Sequence, residues 1–207
     1  MRKLLLLCGI LSSLLYAAMN VFVPMLYEGY SSASQTVSEL SAIGAPTRPL
    51  WVVLGIGYTL LLTAFGWGVR ASADGNRPLR TAGGLLIVYG VIGLFWPPMH
   101  QRGTEFTLTD TMHIVFATST VLLMMLGIGF AAAGAGKRFR RYSIATMVIL
   151  VAFGVLSGVD GPRITANLPT PWVGVWERIS IGAFLLWVVV LAIARLRFRI
   201  QPVDAFD

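Results

Sequence analysis

Six stretches of this chain carry no charged residue and are long enough, or nearly so, to cross a lipid bilayer. They are residues 4–27, 49–69, 81–99, 111–136, 142–159 and 179–194. About 20 mostly apolar residues span about 30 Å of hydrocarbon as a helix. Lipid offers backbone amides and carbonyls no partners, so such segments must be helices or a closed barrel. The alternating ten-residue pattern of a barrel is absent. The expected fold is therefore all-α: a polytopic membrane protein with a bundle of six transmembrane helices, forming one integral membrane domain over 1–207. Only 12% of the residues are charged and 56% are hydrophobic, too little polar surface for a water-soluble domain.

The charges that remain are sorted by side. Twelve of the 16 Lys and Arg residues fall in one set of connections, among them Arg2, Lys3, Arg70, Arg77, Arg80, the 137–141 cluster, Arg195, Arg197 and Arg199. The alternate connections hold four: Arg48, Arg102, Arg163 and Arg178. The positive-inside rule then predicts cytoplasmic termini and a multi-pass protein of the cell's inner (cytoplasmic) membrane. Membrane lipids are the expected partners, and the basic excess needs no nucleic acid to explain it. Arg2 and Lys3 before a Leu run also suggest a signal peptide, but the apolar stretch is too long and lacks a good cleavage site, so an uncleaved first span is expected. The single cysteine, Cys8, allows no internal disulfide or thiol-ligand cluster.

Small residues at four-residue spacing, Gly154 and Gly158 in the fifth span and Gly127, Ala131 and Ala135 in the fourth, are expected to be helix contacts or faces for oligomerisation. Trp51, Trp96, Trp172 and Trp176 stand at the outer ends of spans, where indoles favour the interface.

Acids and histidines are concentrated on the predicted outer side. Glu28, Glu39, Glu105, Asp110, Asp160 and Glu177 lie there with both histidines, His100 and His113; Asp74, Asp204 and Asp207 lie opposite. The sixth stretch is only 16 residues, or about 24 Å. It is expected to run over 174–195, which places Glu177 and Arg178 at or below the interface, where ions need partners or a wet cavity. Asp110 and His113 share a helix face at i,i+3, so the carboxylate could orient the imidazole as a base, or both could bind a metal. With His100 they form a candidate site for a divalent metal such as zinc, although the spacing fits no strict motif. The alternative for Asp110 is a helix cap.

Residues 36–39, Thr-Val-Ser-Glu, fit a capping box, and Val37, Leu40 and Ile43 recur every third residue before Gly44. A short extracytoplasmic interfacial helix carrying Ser38, Glu39 and Ser41 is expected, as a lid over a pocket or a plug in the bundle mouth. A serine hydrolase finds little support in the pattern: there is no GxSxG elbow, and no base is paired with Ser38 along the chain. Few ionisable groups lie at mid-depth, which weakens a transporter.

Ser38-Glu39-Leu40-Ser41-Ala42-Ile43-Gly44-Ala45-Pro46, Met99-His100-Gln101-Arg102-Gly103, the Asp110 and His113 pair, and Trp176-Glu177-Arg178 together resemble a prokaryotic membrane family called domain of unknown function 998. The resemblance covers nearly the whole chain and implies a multi-span protein with no assigned activity. Functionally, the residues lead to a polar site at the extracytoplasmic face. Catalytic candidates are His113, Asp110, His100 and Glu39; candidate substrate-binding residues are Arg102, Arg163, Glu177, Arg178 and Ser38. A hydrolase or transferase acting on lipid or another amphiphile is one reading; a non-catalytic lipid-binding sensor or accessory subunit is the other, and a small transporter ranks below both.

Overall fold

The computed structural model describes residues 1–197. Arg199, Asp204 and Asp207, assigned above to the basic side, lie outside the described residues. Six long helices run alternately up and down: α1 (Arg2–Phe22), α2 (Arg48–Ala71), α3 (Arg77–Gly93), α4 (Leu108–Gly134), α5 (Lys137–Val159) and, after the one-and-a-half-turn α6 (Gly161–Thr165), α7 (Val173–Arg197). Each long helix packs against its neighbours in sequence, and α7 lies between α5 and α1 to close the ring. The protein is a multi-pass helical membrane bundle. Among the described residues, five helices are long and apolar enough to cross on their own. The exception is α3, with 17 residues, or about 26 Å.

The boundaries depart from the sequence expectation in instructive places. The third stretch was expected to be helical to residue 99, but α3 ends at Gly93. Pro97 and Pro98 disfavour helical geometry in the residue before each and remove two donors, so residues 96–99 form an irregular connection. α5 closes at Val159, just before Gly161-Pro162, and Pro162 then sits in the first turn of α6, where its missing N–H costs nothing.

Close backbone approaches within the bundle also fall at glycines outside the four-residue pattern. A Cβ on Gly83 would lie 2.6 Å from the Arg70 nitrogen, one on Gly66 2.8 Å from Ile87 N, and one on Gly9 2.6 Å from the Phe65 ring. These contacts seat α3 on α2 and α2 on α1. Gly154 and Gly158, by contrast, meet nothing within 4 Å. Gly127 and Ala131 are buried as expected. Trp51, in the first turn of α2, is 8% exposed and packs edge-on against Tyr16.

Near the basic end the interior is closed. Leu62, Phe65, Trp187, Val188 and Ala192 are inaccessible, and Trp187 Nε1 donates to Ser143 Oγ at 3.0 Å. The Asn76 side chain caps α3 through Leu79 N and donates to Gly134 O at 2.7 Å, tying α3 to the end of α4. Near the opposite end the bundle opens into a cavity of about 530 Å³ lined by α1, α2, α3, α4, α5 and α7 and roofed by residues 36–41.

Candidate functional site

The roof is a 3₁₀ turn, Val37–Ser41, instead of the amphipathic α-helix expected to run on through Ile43. In a 3₁₀ helix residues i and i+3 eclipse one another. Val37 and Leu40 therefore share one face, buried against Met19, Val23 and Trp51. Ser38 and Ser41 share the next, which lines the cavity. The Thr36 capping box opens the turn, as its sequence predicts. Ile43 lies beyond its end, where its N–H donates to Met99 O at 2.8 Å and its backbone bridges His100. This pairing brings the 97–103 connection alongside the roof.

Three consecutive residues of the roof are held by three different parts of the chain. Val37 N donates to Glu177 Oε2 of α7 at 2.6 Å. Ser38 Oγ lies 3.1 Å from His113 Nε2 of α4. Glu39 takes a two-pronged contact from Arg102, Nε to Oε1 at 2.7 Å and Nη2 to Oε2 at 3.0 Å. Glu39 also accepts from Thr36 N, Thr36 Oγ1 and Gln35 Nε2 and is 4% exposed. Its carboxylate oxygens are thus occupied by donors of the protein, which hold the turn that carries Ser38.

His113 is fixed in a single useful tautomer. Its Nδ1 lies 2.8 Å from the Pro97 carbonyl, which can only accept. The neutral ring therefore carries its proton on Nδ1, leaving Nε2 to accept from the Ser38 hydroxyl. Trp96 packs edge-on against the imidazole at 5.2 Å, and the residue is 7% exposed. A hydroxyl hydrogen-bonded to an oriented, neutral imidazole is the minimal arrangement for nucleophilic catalysis.

Asp110 does not orient His113. At position N3 of α4 it reaches back toward the helix start, accepting from Thr107 N at 2.9 Å and Thr107 Oγ1 at 3.0 Å. It also accepts from His100 N at 2.7 Å and meets His100 Nδ1 at 2.9 Å. The cap and the carboxylate–imidazole pair both exist, but the imidazole is the loop one. No group of three potential metal ligands gathers among the described residues. His100 and His113 turn to different partners, so the set His100, His113, Asp110 does not present a metal-binding geometry.

The arginines expected to bind substrate are engaged within the protein. Besides Glu39, Arg102 donates to Thr170 Oγ1 at 2.7 Å and Ser34 O at 3.0 Å. Arg178 donates to Ser32 O, Gln35 O, Gly174 O and, at 2.7 Å, to Tyr30 OH. Burial pushes the Tyr30 hydroxyl up to about 12, so it stays protonated and donates to Thr36 O at 2.7 Å. Arg163 donates twice to Pro169 O, at 3.0 and 2.8 Å, on the surface. Gly174 sits so close to the Ser32 and Gln35 carbonyls that no side chain fits there, and its N–H donates to Ala33 O at 2.9 Å. These bonds clamp residues 30–41 onto the bundle.

A family model matches residues 10–194, the extent over which this bundle and its roof are built. The chain belongs to the family described as protein of unknown function, DUF998. No curated protein and no solved structure matches it. In this DUF998 chain, the four segments that carried the resemblance are those that converge around Ser38. Sequence reasoning nominated Ser38 and His113 separately but could not join them, because 75 residues separate them. It passed over the Pro97 carbonyl, Thr170 and Arg48, for which no local pattern exists.

Proposed function

We propose that the protein is a membrane-embedded serine hydrolase or acyl transferase acting on an amphiphile, with Ser38 as nucleophile and His113 as general base. The observation that carries this reading is the Ser38–His113–Pro97 relay at the mouth of an apolar cavity of about 530 Å³. That volume is in the range of small-molecule sites, about 300–1,000 Å³. The hydrocarbon chain would occupy the space between Ile56, Val121, Ile181 and Phe184, with the carbonyl to be attacked at Ser38. Ser38 Oγ bonds to the ester carbonyl carbon while its proton passes to His113 Nε2. The imidazolium returns that proton to the departing alkoxide. Water, or the hydroxyl of a second amphiphile, then attacks the acyl-Ser38 ester as His113 takes its proton, releasing acid or new ester and restoring Ser38.

The charge distribution supports an extracytoplasmic site in the inner membrane, with both termini cytoplasmic. The packed interior around Leu62, Phe65 and Trp187 makes the cavity blind, which favours a reaction pocket over a transport path. A second reading, a lipid-binding sensor, is favoured by one feature: His113 Nδ1 meets a neutral carbonyl instead of a carboxylate.

Hydrolysis of the nitrophenyl ester of a medium-chain fatty acid by detergent-purified protein separates the two. Ser38→Ala and His113→Gln are each expected to lower turnover by about 100-fold or more with unchanged size-exclusion profiles. Turnover in Ser38→Ala equal to that of the unaltered protein overturns the hydrolase reading.

A further inference from the structure

Arg48 stands apart from the other cations at the site end. Arg102, Arg163 and Arg178 are each bound to acceptors within the protein. The Arg48 guanidinium makes no hydrogen bond or ion pair among the described residues, yet it is half-buried and lines the cavity together with Ser38 and Ser41. Its position relative to Ser38 is fixed: Thr47, 2% exposed, donates its hydroxyl to Leu40 O at 2.7 Å, tying the start of α2 to the roof turn. The acids of this end have other partners, and of them only Glu177 also lines the cavity. Glu39 faces Arg102, Asp110 faces His100, Asp160 lies 3.8 Å from Arg163, and Glu177 is bonded to Val37 N. Glu28 and Glu105 are exposed and do not line the cavity. Arg48 is thus a half-buried cation without a protein partner among the described residues on a wall that is mostly apolar, and the planar fork of a guanidinium suits the oxygens of phosphate or carboxylate.

We infer that the cavity takes an anionic amphiphile, with Arg48 holding a phosphate or carboxylate group while the hydrocarbon chain lies deeper in the bundle. This deepens the hydrolase reading by giving its substrate class, and the same anchor serves if Ser38 performs no chemistry. The ester and the anion would lie close together in the ligand, since Ser38 and Arg48 line one mouth.

Binding is measured in the Ser38→Ala protein, so that turnover plays no part, by the fluorescence of Trp51 and Trp96 on the cavity wall. The probes are an alkyl phosphate, the alkyl carboxylate of the same chain length and the corresponding neutral alcohol. Both anions are expected to bind about tenfold or more tightly than the alcohol. Arg48→Gln should bring both anions down to the alcohol, and Arg48→Lys should keep part of the preference. A preference for phosphate alone assigns a phosphate headgroup as the anion, and equal preference assigns either anion. Equal binding of all three probes, or an anion preference that survives Arg48→Gln, overturns the inference. Loss of esterase activity has no bearing on this readout, so failure of the hydrolase reading appears separately, as tight anion binding without turnover at Ser38.

Discussion

At the residue scale, the site illustrates how one carboxylate is consumed by structure while its neighbour is left free to react. Glu39 was a catalytic candidate because it stands with the other acids and both histidines on the predicted outer side. The structure surrounds it with donors from Thr36, Gln35 and Arg102, so it fixes the turn that presents Ser38. Breaking a buried ion pair by removing one partner costs about 3–5 kcal/mol, because the other charge is stranded. Arg102→Met and Glu39→Gln should each lower the unfolding temperature in detergent markedly. The double variant should cost less than their sum, since it strands no charge. Additive losses in that cycle would mean that the pair is not coupled. The capping box at Thr36 was legible because it is local, three residues from donor to acceptor, whereas Asp110, read as a cap, is instead the third residue of a box opened by Thr107. The pairing of Asp110 with His100, over His113 on its own helix face, was not legible, because it depends on how the 97–103 connection folds back.

At the element scale, hydropathy located every long helix, because burial in lipid is a property of composition. It overran at α3, where Pro97 and Pro98 are counted with the apolar stretch but cannot continue a helix and disfavour it in the residue before each. The small-residue signal was legible only in part. Spacing alone cannot say which side a small-residue face is turned to. Gly154 and Gly158 face open space, while Gly66 and Gly83 carry the backbone approach of α2 and α3. Gly83→Val should therefore destabilise the bundle by about 1–3 kcal/mol, through forced separation of the two helices. Gly158→Ala should leave the unfolding temperature within error. The reverse order, measured by thermal unfolding in detergent, would place the close contact on α5 instead.

At the scale of the whole molecule, the bundle is divided along its length. One end is a packed, apolar core closed by Trp187 and Phe65; the other is a chain-sized cavity whose polar groups gather at its mouth. Six spans and a polar end could be read from the sequence, but the cavity could not, since it arises from how the ring of helices closes at α7. Three clamps hold the roof turn between ring and cavity, one from α7, one from α4 and one from the 97–103 connection. Only that closure sets Ser38 beside His113. The most direct test of this account is covalent capture by a long-chain alkyl fluorophosphonate, with the adduct located by mass spectrometry. The expected result is one adduct, on Ser38, formed at a rate that falls toward acid with a single protonation, as His113 gains a proton and can no longer accept from the hydroxyl. His113→Gln should slow the reaction by about 100-fold or more. An adduct on another residue, or labelling of Ser38 at the same rate without His113, would contradict the assignment of Ser38 and His113 as a reacting pair.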